Sequence, residues 1–155
     1  MFEFVVSVVL RDELSIDDVA ELRWHLGLGE LPECGPRIGG GVCRVAEDED
    51  GELVTLDPEP LLGAHGPAWK IGGMLGASLE RSTTGWRLDA RQEMHAEMLE
   101  ESTELMRWLY RRVEADFVRA DGSVEIARMR WYEDTESTAL VVRDDQLYWP
   151  WPTTP

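Results

Sequence analysis

Apolar residues recur along the chain with two different periods, and the changes of period mark out its elements. Phe2–Arg11 is nearly continuous in apolar residues (Val5, Val6, Val8, Val9, Leu10), the pattern of a central strand buried on both faces. A helical period follows over Ser15–Leu26, with Ile16, Val19, Leu22 and Leu26 on one face. Ser15 is placed to cap it, Asp18 sits three residues on, Leu14 and Val19 can staple the entry, and Gly27 and Gly29 end it. Residues 28–41 are rich in Gly and Pro and read as loop. Val42–Ala46 and Glu52–Leu56 flank the turn Glu47-Asp48-Glu49-Asp50-Gly51 and predict a hairpin. Residues 57–67, with three prolines, are loop again.

Trp69 to Leu79 fits either period, because Trp69, Ile71, Leu75, Ala77 and Leu79 alternate while Ile71, Leu75 and Leu79 also recur helically. Gly72, Gly73 and Gly76 each cost a helix interior about 1 kcal/mol, which favours a strand. Trp86–Met94 alternates cleanly as a strand. Ala96–Phe117 reads as one long helix, its glutamates early, its arginines late, with Glu104 and Arg107 placed to pair. Val124–Tyr132 and Thr138–Val142 are predicted strands, and Trp149-Pro150-Trp151-Pro152 an extended tail. The order β-α-(ββ)-β-β-α-β-β predicts an α+β fold: an antiparallel sheet with two helices on one face, a ferredoxin-like split βαβ with an inserted hairpin. The expected organisation is one domain over residues 1–148 and a tail over 149–155.

Composition narrows the function classes. An apolar content of 43% with seven Trp in 155 residues describes a chain with a core. The net charge of −16 argues against nucleic acid and anionic membrane surfaces, both polyanionic. The first apolar run is short and preceded by Glu3, unlike a signal peptide, so the expected location is the cytoplasm with Cys34 and Cys43 as free thiols. Every basic residue except Lys70 is Arg and Asn is absent, the codon bias of a high-GC bacterial genome rather than a phosphate-binding signature.

Candidate chemistry is sparse. His25, His65 and His95 form no close metal-binding pair, Cys34 and Cys43 lack C-x-x-C spacing, and no cofactor motif is present. Gly76-Ala77-Ser78-Leu79-Glu80 lacks the second glycine of a nucleophile elbow. Arg91, Glu93 and His95, at the exit of a strand, form the best ligand-binding group, in a pocket between sheet and hairpin. Glu47, Asp48, Glu49 and Asp50, with Trp149 and Trp151 of the tail, form the best partner-binding group. Trp24, Trp69, Trp86, Trp108 and Trp131 fall within predicted elements, where core is the ordinary role.

Leu22-Arg23-Trp24-His25-Leu26-Gly27, Gly85-Trp86-Arg87-Leu88 and Arg91-Gln92-Glu93-Met94-His95 resemble a family of small acidic uncharacterised proteins from high-GC bacteria. That resemblance implies no activity, cofactor or site. The expectation is therefore a non-catalytic homodimeric binding protein with an acidic face for a basic protein partner, an immunity-type inhibitor being one form. The alternative is a small-molecule-binding protein or enzyme using Arg91, Glu93 and His95.

Overall fold

The computed structural model describes residues 1–33, 35–38 and 45–150. Its main sheet has seven antiparallel strands. They are β1 (Phe2–Leu10), β4 (Gly66–Pro67), β5 (Met74–Arg81), β6 (Trp86–Met94), β7 (Val124–Trp131), β8 (Thr138–Arg143) and β9 (Gln146–Tyr148). The order across the sheet is β4-β5-β6-β1-β7-β8-β9. β2 (Val45–Glu47) and β3 (Leu53–Thr55) form a separate two-stranded sheet. β1 lies between β6 and β7 and is antiparallel to both, so the connection from β6 to β7 joins two parallel strands with β1 between them. The connection from β1 to β5 likewise spans β6. The protein has an α+β fold.

α1 (Ile16–His25) connects β1 towards the hairpin, and α2 (Ala96–Glu101) and α3 (Thr103–Tyr110) connect β6 to β7. Their apolar residues Leu22, Leu99, Leu105 and Leu109, with Leu26 at the end of α1, join Phe4, Val6, Val8 and Leu10 of β1 in one buried cluster. α1 begins as its sequence requires: the Asp18 N–H donates to Ser15 Oγ at 3.0 Å. It ends in a Schellman motif, with Gly27 N–H bonded to Trp24 O (2.9 Å) and Leu28 N–H to Arg23 O (2.8 Å). Gly27 takes φ +68°, and a Cβ there would lie 2.5 Å from the Gly63 carbonyl, so the loop carrying Leu61 and Leu62 into the core can close on the helix end only over glycine.

Several expectations are corrected. β1 is buried on both faces only over Val8–Leu10; Ser7 is exposed and Val5 half-buried, because the helices cover one face alone. The expected helix over 96–117 is interrupted and shorter. At buried Ser102 the hydroxyl donates to Leu99 O (2.6 Å), and α3 starts afresh at Thr103. After Tyr110 the chain leaves the helix because β7 pairs with β1 only as far as Val6, and the end of β1 needs other partners. Residues 112–114 supply them: Arg11 N–H donates to Arg112 O (2.8 Å), Glu114 N–H donates to Val9 O (2.9 Å), and Val113 bridges Leu10.

The strand expected from Trp69 begins only at Met74, since residues 69–73 form a loop in which Gly72 and Gly73 have φ of +78° and +70°. Ile16 is 89% exposed rather than on the buried helix face, and Trp69 is 74% exposed. The described hairpin strands are Val45–Glu47 and Leu53–Thr55, the second within its expected span and the first carrying Glu47, which the sequence places in the turn. Residues 42–44, Cys34, Cys43 and Trp151 lie outside the described residues, as does the tail beyond Pro150.

Candidate interaction surfaces

Strand register determines what the uncovered sheet face displays. β6, β1 and β7 direct alternate residues outward, and the pairings Val5↔Arg91, Val5↔Arg128, Glu3↔Glu93, Glu3↔Arg130 and Ser7↔Asp89 place these side chains in cross-strand rows. Glu3 forms ion pairs with Arg91 (2.6 Å) on one neighbour and Arg130 (3.2 Å) on the other. Arg87 pairs with Asp89 (2.8 Å), and Arg128 with Glu125. Four arginines therefore face four carboxylates on the central strands (Glu93 is the fourth), and the face carries no net charge. Between the charged flanks the outward row of β1 is small, Val5 and Ser7. A cavity of about 440 Å³ opens beside it, lined by Val5, Gly76, Ser78, Asp89 and Arg91 among others, and one of about 220 Å³ opens on the β7 side with Val5, Ser7 and Arg128.

The group expected to bind a ligand is only partly gathered here. Arg91 lines the larger cavity, but its guanidinium is held by Glu3 and by the Met74 carbonyl (3.0 Å). Glu93 accepts the N–H groups of Trp69 (2.8 Å), Lys70 (2.6 Å) and Ile71 (2.9 Å). Burial alone would push its carboxyl up; those three amides and the nearby amino terminus outweigh it and hold the group below the usual carboxylate range. His95 is exposed at the N-cap of α2, makes no side-chain cap bond, and is absent from the cavity lining. Glu93 thus ties the 69–71 loop to the sheet, and His95 stands apart from Arg91. No described residue of the hairpin lines the cavity either.

The partner-binding group divides in the same way. Residues 45–59 hold Glu47, Asp48, Glu49, Asp50, Glu52, Asp57 and Glu59 and no Lys or Arg. Asp48 Oδ1 accepts the N–H groups of Asp50 (2.9 Å) and Glu52 (2.8 Å), fixing the turn, while Glu47, Glu49 and Asp50 are exposed. The hairpin also exposes apolar side chains: Val45 at 62%, Leu53 at 77% and Leu56 at 44%. Trp149, by contrast, packs against the core of its own chain. Pro150 lines a cavity of about 270 Å³ with Phe2 and Trp131 at the edge of the sheet.

One polar pair is visible in the sequence only as a spacing. Glu21 and His25, four residues apart on α1, are both fully buried. Glu21 accepts the backbone N–H groups of Arg37 (2.5 Å) and Ile38, fastening the loop to the helix, and stands 3.8 Å from His25 Nε2. Neither His25 ring nitrogen makes a well-formed hydrogen bond among the described residues. Burial pushes this imidazole down to about 4, against a weaker upward pull from the Ile38 backbone, so it is neutral near pH 7. Among the described residues no group of three or more His, Cys, Asp or Glu side chains could hold a metal ion, and no helix is long and apolar enough to cross a membrane.

Comparison with protein-family models, with curated proteins and with solved structures finds no match for this chain.

Proposed function

We propose that the chain is a non-catalytic binding protein, assembled as a homodimer, whose acidic hairpin engages a basic protein partner. The carrying observation is the hairpin β2–β3: it forms no part of the main sheet and combines the exposed carboxylates Glu47, Glu49, Asp50 and Glu52 with exposed Val45, Leu53 and Leu56. A two-stranded hairpin is marginal alone in water, and exposed apolar side chains beside acid suit a surface that is covered on binding. Acid around an apolar patch accelerates encounter with a basic partner and fixes its approach, while the apolar side chains supply desolvation.

The test compares the full chain with a variant carrying Glu47→Gln, Glu49→Gln, Asp50→Asn and Glu52→Gln, leaving the turn-forming Asp48 intact. A basic protein that co-purifies with the wild type, rebinds it as a purified pair, and loses affinity both with added salt and with the variant supports the reading. Binding indifferent to salt and to the variant overturns it.

A further inference from the structure

We infer that the uncovered face of the main sheet, centred on Val5 and Ser7 of β1, is the surface through which two copies of this chain associate. The inference rests on the homodimer part of the proposed function and assigns it a place. Two chains of −16 each repel at long range, and contact through the hairpin or the acidic helix ends would concentrate that repulsion. The central sheet face is different: its four arginines and four carboxylates balance, so it contributes nothing to the net charge.

The face also has the layout a two-fold contact needs. Arg91 and Arg128 form a basic row across Val5; the row on one side holds Glu93, Glu3 and Arg130, and Asp89 and Glu125 lie on the other side. A copy turned face to face can set its arginine row against Asp89 and Glu125, and the same contact is then made twice, as an isologous interface requires. Small outward residues, Gly76, Ser78, Ser7 and Ala139, keep the middle low enough for close approach. Five strands spaced about 4.8 Å apart and about eight residues long present a projected area of order 650 Å². Side-chain relief raises this towards the roughly 800 Å² per partner typical of stable interfaces. Arginine is also enriched at such interfaces.

Sedimentation velocity on the full chain, over a concentration series at low and high salt, tests the assignment. The wild type should form a dimer that tightens as salt rises, because screening weakens the long-range repulsion between the two acidic bodies more than the close, partly buried pairs across the contact. Ser7→Glu places an unbalanced charge at the centre of the face, on an exposed side chain, and should weaken the dimer at least tenfold with an unchanged circular-dichroism melt. Should that variant unfold, Ser78→Arg on the neighbouring part of the face is read in the same way. A chain that is monomeric at every concentration and salt overturns both the inference and the homodimer reading. A dimer as tight in the folded variant as in the wild type overturns the assigned surface alone.

Discussion

At the scale of single residues, a buried histidine and a half-buried glutamate each contribute to how this protein responds to pH. His25 is neutral in the folded state, with its pKa pushed down to about 4, whereas an unfolded histidine titrates near 6.5. Above about pH 6.5 neither state is protonated and the group has no effect on stability. As pH falls from there towards 4 only the unfolded chain takes up the proton, so stability is lost across that window, by roughly 3 kcal/mol in total. His25→Phe should flatten this part of the urea-denaturation profile while leaving the acid limb below pH 4. Glu93 has the opposite sign of dependence on its charged form. Its carboxylate is favoured by folding, so its contribution is present above the ordinary carboxylate pKa and is lost as pH falls through the lowered one. Glu93→Ala leaves three loop amides without their acceptor and should cost about 1–2 kcal/mol at pH 7, reduced by the partial exposure of the site. A wild-type urea midpoint for that variant would show that the loop stands without the anchor.

At the scale of elements, the chain's periodicity is most legible where local signals agree. Ser15, Asp18 and Gly27 bracket α1 with a cap and a Schellman end, and the alternation of Trp86–Met94 survives intact as β6. It is least legible where a distant strand decides. The helical pattern over 111–117 is overridden because β1 outruns β7 and takes its hydrogen bonds from residues 112–114. β9 escapes the pattern for a different reason: its turn is Asp144-Asp145, both with positive φ (52° and 62°), at positions usually held by Asn or Gly. Arg111 holds the Asp145 carboxylate at 2.9 and 3.1 Å, and Arg107 reaches its carbonyl at 2.8 Å, contacts that depend on α3 and not on the turn's own sequence. Asp144→Gly should therefore relieve a left-handed residue without touching those bonds, and raise stability by up to about 1 kcal/mol in thermal or urea denaturation. No gain would mean that the tertiary contacts already absorb the strain.

At the scale of the whole molecule, the net charge is informative only once its distribution is known. Arg91, Glu3 and Arg130 lie far apart in sequence, and each strand alone shows the alternation of any solvated face; only the strand order brings them into one neutral field. The excess of acidic over basic residues lies elsewhere, and the hairpin gathers a dense share of the acid. The two proposed contacts therefore respond to salt in opposite directions. Association with a basic partner is attraction between unlike charges and weakens as salt is added. Self-association through a neutral face is opposed by the remainder of each copy and strengthens as salt is added. The four-site hairpin variant at positions 47, 49, 50 and 52 separates the two, because it removes attraction for the partner and repulsion between copies together. At low salt it should bind the basic partner more weakly, with a shallower salt slope, and dimerise more tightly than the wild type. Titration of the purified partner and sedimentation of the variant alone read the two effects independently, and a variant that weakened both associations would place the hairpin inside the dimer contact.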